Sequence, residues 1–149
     1  MMKELTQSAA EIQVSYIPKK TLGNKISCSE DAYQLLKDFY PQETISLQER
    51  FVVAYLNRAH NVIGVYEASV GGLTGTIADP RLIVSVALKI AATSIILSHN
   101  HPSGNLNPSN TDQELTNKIR EACKYLDINV LDHIIITPKT FYSFADSSK

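Results

Sequence analysis

Residues 93–112 read T-S-I-I-L-S-H-N-H-P-S-G-N-L-N-P-S-N-T-D, and the fold turns on how they are parsed. Residues 93–99 form a short apolar run with no polar alternation, the pattern of a strand buried on both faces. Residues 100–110 carry two prolines, a glycine and several Asn and Ser, and cannot form a regular element. Ser109 then caps a helix whose apolar side is Leu115, Ile119, Ala122, Cys123 and Leu126. A doubly buried strand leading through a loop into a helix belongs to a sheet that is covered on both sides.

Downstream, NVLDHIIIT (129–137) reads as another strand, and TFYSFA (140–145) is expected to pair with it across the Pro138-Lys139 turn. Upstream, Asp79 caps and Pro80 starts a helix to about residue 92, with Leu82, Ile83, Val86, Ala87 and Ile90 along its buried stripe. FVVAYLN (51–57) and VIGVY (62–66) form a hairpin around the His60-Asn61 turn. Residues 68–78, with Gly71, Gly72 and Gly75, predict a further strand with turns or a bulge.

Ser27 followed by Glu30 is a capping-box pattern. Ala32, Leu35, Leu36 and Phe39 then recur at helical spacing, predicting a helix over 28–39 that stops before Pro41. Residues 11–19 alternate weakly and predict an edge strand ended by Pro18, behind a polar, frayed start at 1–9. Helices alternating with strands in one chain indicate an α/β domain with a mixed sheet flanked by helices.

At 149 residues the chain fits one domain with one sizeable core and needs no disulfide staple. Cys28 and Cys123 lie far apart and in no CxxC pair, which argues against an iron-sulfur or Cys-rich zinc site and fits a reducing cytosol. With 14 basic against 15 acidic residues and a net charge of -1, charge gives no reason to expect DNA as partner. No apolar stretch reaches the roughly 18 residues of a membrane span. A cytoplasmic location is therefore expected. Exposed sheet edges leave a homodimer open.

The chemistry concentrates in the opening stretch. Side chains at i and i+2 of a strand point the same way, so His99 and His101 can present two imidazoles to one point. Asp112 falls on the first turn of the next helix, where the loop can return it to the strand end. Two imidazoles and a carboxylate are a common hydrolase ligand set for one zinc ion per chain, with an open position for water, whose pKa zinc lowers to roughly 7. A second reading of Asp112 stays open: Ser109 and Asp112 also satisfy S-x-x-D capping, which needs no metal.

Other residues are weaker candidates. Ser98 and Ser103 could orient ligands or line a pocket. His133 follows Asp132, which could orient its ring, although a core or edge histidine is the stronger reading. His60 reads as a surface turn residue. The glycines at 71, 72 and 75 match no phosphate loop, and the PCxxC mark of nucleobase deaminases is absent.

The pattern H-x-H-x7-S-x2-D resembles that of the JAB/MPN metalloprotease fold, which includes deubiquitinating isopeptidases. SHNHPSGNLNPS at 98–109, with LDH at 131–133, looks like the RadC-type branch, long called DNA repair proteins. Asn100 departs from the Ser or Thr of the eukaryotic proteases, as the RadC branch does. LTGTIADP (73–80) also resembles that branch. The resemblance implies a three-layer domain over 25–149 behind an N-terminal extension at 1–24.

It also implies a glutamate before an upstream strand as general base, and the matching residue is Glu49, with Glu67 and Glu43 as rivals. Ser109 would donate to the developing oxyanion. Members of the branch carry an N-terminal helix-hairpin-helix segment for which these residues leave no room, so DNA binding through it is not expected. The expected function is a zinc-dependent hydrolase of the metallopeptidase or isopeptidase type, acting on an unknown peptide or protein. The alternative is a non-catalytic DNA-repair-associated binding module stabilised by a metal ion.

Overall fold

A computed structural model describes residues 8–20, 23–71 and 78–148. Among them, five strands form one mixed sheet: β1 (Arg50–Leu56), β2 (Val62–Val70), β3 (Ser94–Asn100), β4 (Asn129–Ile136) and β5 (Phe141–Ser143), in spatial order β2-β1-β3-β4-β5. The helices are α1 (Ser29–Leu36), extended by a 3-10 turn at Lys37–Phe39, α2 (Pro80–Lys89), α3 (Asn110–Lys124) and the single turn α4 (Phe144–Ser147). None is long and apolar enough to cross a membrane.

Side-chain alternation along the strands builds two cores, one on each face of the sheet. Val52, Ala54 and Leu56 of β1 pack with Ile96, Ile134 and Ile136 against Ala32 and Leu36 of α1. Phe51, Val53 and Tyr55 face the other way, with Ile95 and Leu97, and meet Ile83 and Ala87 of α2 and Ile119 and Cys123 of α3. Every residue of β3 is buried, as its unalternating sequence requires. This is the three-layer α/β arrangement.

Register brings three chain segments to one end of the sheet. β3 and β4 run parallel, with His99 beside Ile135, and the loop leaving β3 returns as α3. β1 is antiparallel to β3, so its start lies at the same end, with Phe51 opposite His99.

Several expectations are corrected. Residues 11–19 adopt no strand: Ile12 and Val14 stay exposed, so their alternation finds no core to face, although the Tyr16 hydroxyl donates to the Ile63 carbonyl at 3.4 Å. Residues 68–70 continue β2 past a register shift opposite Phe51/Val52 instead of starting a new strand. Residues 72–77, which hold most of the LTGTIADP motif, lie outside the described residues. At α1 the N-cap is Cys28, and Asp31, one residue beyond Glu30, accepts the Ser27 N–H at 2.9 Å. Glu30 instead accepts from Gln34 at 2.7 Å.

Candidate metal centre

His99 is the sixth residue of β3 and is 2 % exposed, while His101 begins the turn that leaves the strand. Gly104 closes that turn by donating its N–H to the His101 carbonyl at 2.9 Å, with φ at 82°, a region open to glycine and costly for most other residues. Asp112 sits at the third position of α3, whose N-cap is Ser109. The capping box is complete: the Ser109 hydroxyl accepts the Asp112 N–H at 3.0 Å, and Asp112 Oδ2 accepts the Ser109 N–H at 2.9 Å.

The same Asp112 Oδ2 lies 3.3 Å from His99 Nε2 and 3.2 Å from His101 Nε2, and the two imidazole nitrogens are 3.0 Å apart. His101 Nδ1 lies 2.6 Å from the Asn105 carbonyl, which can only accept, so Nδ1 carries a proton; the neutral ring then turns a bare Nε2 into the cluster, and only the doubly protonated, cationic ring donates from Nε2 to Asp112. Lone pairs and a carboxylate oxygen this close need positive charge among them. The titration shifts report the same demand. His101 is raised above its ordinary pKa, chiefly by its hydrogen bond with Asp112, against a lowering by burial. Burial pushes Asp112 up, but positive charge on the facing rings, through hydrogen bonds that protonated His101 and His99 would donate and the charge of a protonated His99, together with the Ser109 N–H, holds it well below the usual carboxylate range.

The donor spacing also fits an ion. Tetrahedral zinc with bonds of about 2.0–2.1 Å separates its ligand atoms by about 3.3–3.4 Å. A carboxylate oxygen of Glu49 completes a cluster with His99 and His101 in which all ligand atoms lie within 4.8 Å of one another. The donor set of this site therefore suits a divalent metal, with four side chains available to hold it.

The strand alternation that aims His99 into the site turns Asn100 to the opposite side, where it is fully buried. Its amide donates to the Ile45 carbonyl at 2.8 Å and the Gln48 carbonyl at 3.0 Å, and its oxygen accepts the Arg50 N–H at 2.7 Å. Two of these bonds grip the backbone on either side of Glu49. Gly71 adds a third hold by donating to the Glu49 carbonyl at 2.8 Å. Sequence reasoning treated Asn100 only as a departure from other families and missed this function.

The rival acids are placed elsewhere. Glu67 is paired with Arg50 at 3.0 Å, and Glu43 is exposed in the loop before β1. Ser98 does not line the site: its hydroxyl donates to the Val52 carbonyl at 2.7 Å and lies 2.7 Å from the Tyr40 hydroxyl in the α1-side core. Ser103 accepts the Asn105 N–H at 3.3 Å within the loop. His60 holds φ at 64° in the turn between β1 and β2.

His133 is fully buried between Phe51 and the stacked ring of Phe144, whose centroid is 4.6 Å away. Its Nε2 lies 2.7 Å from His99 Nδ1 and its Nδ1 lies 2.6 Å from the Thr116 hydroxyl. Burial pushes its pKa well below the ordinary value, and a protonated His99 beside it would lower it further. Asp132 does not orient this ring. Its carboxylate instead accepts from the Ser143 hydroxyl at 2.6 Å, the Ala145 N–H at 2.9 Å and the His133 backbone N–H at 2.7 Å.

A mixed α/β domain with a His-x-His pair at the end of its central strand, faced by a helix-capping aspartate and a glutamate, defines a candidate metal-dependent class. The chain belongs to the RadC-like JAB domain family, which matches residues 26–149 and includes metal-dependent hydrolases. It is similar to a UPF0758 protein of Flavobacterium johnsoniae, 43% identical over 122 residues, which cover 82% of this chain and 52% of that protein. A UPF0758 protein of Streptococcus gordonii is 37% identical over 135 residues, 85% of this chain and 60% of its own. One from Alkaliphilus metalliredigens is 45% identical over 101 residues, covering 68% and 44%. The chain thus spans roughly half the length of these relatives, by the shares of 52%, 60% and 44%.

Proposed function

We propose that this chain is a zinc-dependent hydrolase of the peptidase or isopeptidase type, with His99, His101 and Asp112 holding the ion. The observation that carries the reading is the triangle of ligand atoms at 3.0, 3.2 and 3.3 Å. Asp112 is preferred to Glu49 as third ligand because its oxygen already lies within that triangle. When bound, the ion supplies Lewis acidity to the scissile carbonyl and lowers the pKa of water at an open position.

The chain's own groups supply the rest. Glu49, held by Asn100, accepts the proton of the attacking water and passes it to the leaving nitrogen. Ser109 keeps its hydroxyl proton while accepting from Asp112, so it can donate that proton as a hydrogen bond to the developing oxyanion. Among the described strands β2 is an edge of the sheet, already paired at Val62 with Gly23 and Asn24, and its last residue, Val70, pairs with Arg50 beside Glu49. An extended peptide laid along that edge reaches the site with its backbone paired.

The test is metal content per chain by mass spectrometry on untagged protein, followed by a peptide and isopeptide library screen of the zinc-loaded form. Near one zinc per chain and turnover of at least one amide substrate are expected. Protein that takes up no zinc when it is supplied overturns the reading.

A further inference from the structure

The deepest contact of the site involves no ligand atom and runs through two residues with no role in the chemistry above. Thr116 Oγ1 donates to the Asp112 backbone carbonyl at 2.7 Å, because a carbonyl cannot donate and the hydroxyl has one proton. Toward His133 Nδ1, 2.6 Å away, the same oxygen must then accept, so Nδ1 carries a hydrogen. His133 is fully buried among aromatic rings, and its two ring nitrogens meet the uncharged Thr116 hydroxyl and the His99 ring, so the ring is neutral and its Nε2 is bare. That bare nitrogen lies 2.7 Å from His99 Nδ1 and accepts its N–H. One proton occupies each contact, and the reverse polarity would press a hydroxyl lone pair against the Asp112 carbonyl.

We propose that Thr116 and His133 are positioning residues that hold His99 as its Nδ1–H tautomer and thereby keep the Nε2 lone pair aimed at the metal. The inference rests on the reading of His99 as a ligand. The relay starts at the backbone carbonyl of Asp112 and ends, through His99 Nε2, 3.3 Å from the carboxylate of the same residue. Ligating histidines generally have their tautomer fixed by the partner of the other ring nitrogen. Here that partner is a second imidazole, which transmits the polarity of a helix hydroxyl. Replacing Thr116 by valine keeps the shape and removes the direction. Replacing His133 by glutamine keeps the direction, since an amide oxygen accepts from His99 while the amide nitrogen donates to Thr116.

Two measurements test it. Long-range proton–nitrogen spectra of the chelator-treated wild type at pH 8 report which His99 nitrogen is protonated, independently of any variant or any ion. Nδ1–H is expected, and a His99 that is mainly Nε2–H overturns the proposal. Zinc dissociation constants by competition with a chromogenic chelator are expected to rise roughly 10- to 100-fold in Thr116→Val and His133→Phe, as for lost outer-shell partners. His133→Gln should stay within about threefold of wild type, and tight zinc binding by both Thr116→Val and His133→Phe also overturns it. A wild type that shows Nδ1–H but takes up no zinc would support the relay and sink the metal reading.

Discussion

Ser109 and Asp112 form a reciprocal hydrogen-bonded pair at the start of α3, and the Asp112 oxygen that closes it is the one lying 3.2 Å from His101 Nε2. Capping and ligation were competing readings of one carboxylate, and the geometry lets a single oxygen serve both. The helix cap fixes where this carboxylate oxygen stands, with or without an ion. A complete cap is worth about 1 kcal/mol, enough to order the first turn without an ion.

The two functions of Asp112 separate in Asp112→Asn. The amide oxygen can still accept the Ser109 N–H, so thermal stability in chelator should stay within about 1 kcal/mol of wild type. Zinc affinity should fall by more than about 100-fold, since the variant loses the charge and basicity of a first ligand. Equilibrium dialysis against radiolabelled zinc measures the second effect. Unchanged affinity would leave Asp112 as a cap alone.

Glu49 makes a different kind of contribution. With the metal on His99, His101 and Asp112, Glu49→Gln should keep about one zinc per chain and lose roughly 100- to 10,000-fold in turnover on any amide substrate found. Parallel metal analysis and kinetics on the same preparation check this. Loss of metal together with activity would place Glu49 among the ligands.

Asn100 links the two. Its side chain satisfies Ile45 O, Gln48 O and Arg50 N–H, all in the segment that carries Glu49. Asn100→Ala leaves these three groups without their partner, and at roughly 1–3 kcal/mol for the one that is fully buried and a fraction of that for each of the two half-buried ones, the loss should be about 2–4 kcal/mol. Urea unfolding measures that loss. In the fraction that remains folded, turnover should drop more than zinc content, because the histidines stay on β3 while the glutamate loses its hold. Equal losses of both would mean that Asn100 serves the strand and not the glutamate.

Much of this site could be read from residue spacing. His99 and His101 share a strand face by simple alternation, and Asp112 follows from the helix start at Ser109. Glu49 came only through family resemblance, since a glutamate before a strand is otherwise an ordinary solvated end. Thr116, Asn100 and the contact of His133 with His99 depend on register: β4 lies beside β3 with Leu97 opposite His133, and no local pattern specifies that pairing. The Asp132-His133 adjacency misled for a reason that alternation already contained, because neighbouring strand residues point to opposite faces. The strand expected at 11–19 failed similarly, as alternation is informative only where a core receives its apolar side.

Asp132 itself gives a stability signature away from the candidate metal centre. Burial is the largest influence on its carboxyl and raises it above the usual range, against lowering by bonds from Ser143, Ala145 and His133, with the charge of Asp146 also raising it. With the folded pKa above the unfolded value, the folded protein holds more protons in the window between them, so stability falls as pH rises through it. The contribution is fully present below about pH 3.9, the unfolded value, and is lost above the folded pKa. Asp132→Asn mimics the protonated acid: one amide oxygen can accept both backbone N–H groups that meet Oδ1, and the amide nitrogen can donate to Ser143, reversing that bond. Urea midpoints of wild type and variant in the same chelating buffers should lie closest at low pH and diverge toward neutrality, with the variant the more stable there. Parallel curves, or a wild type that gains on the variant as pH rises, would mean that the three hydrogen bonds outweigh burial and hold this carboxylate ionised.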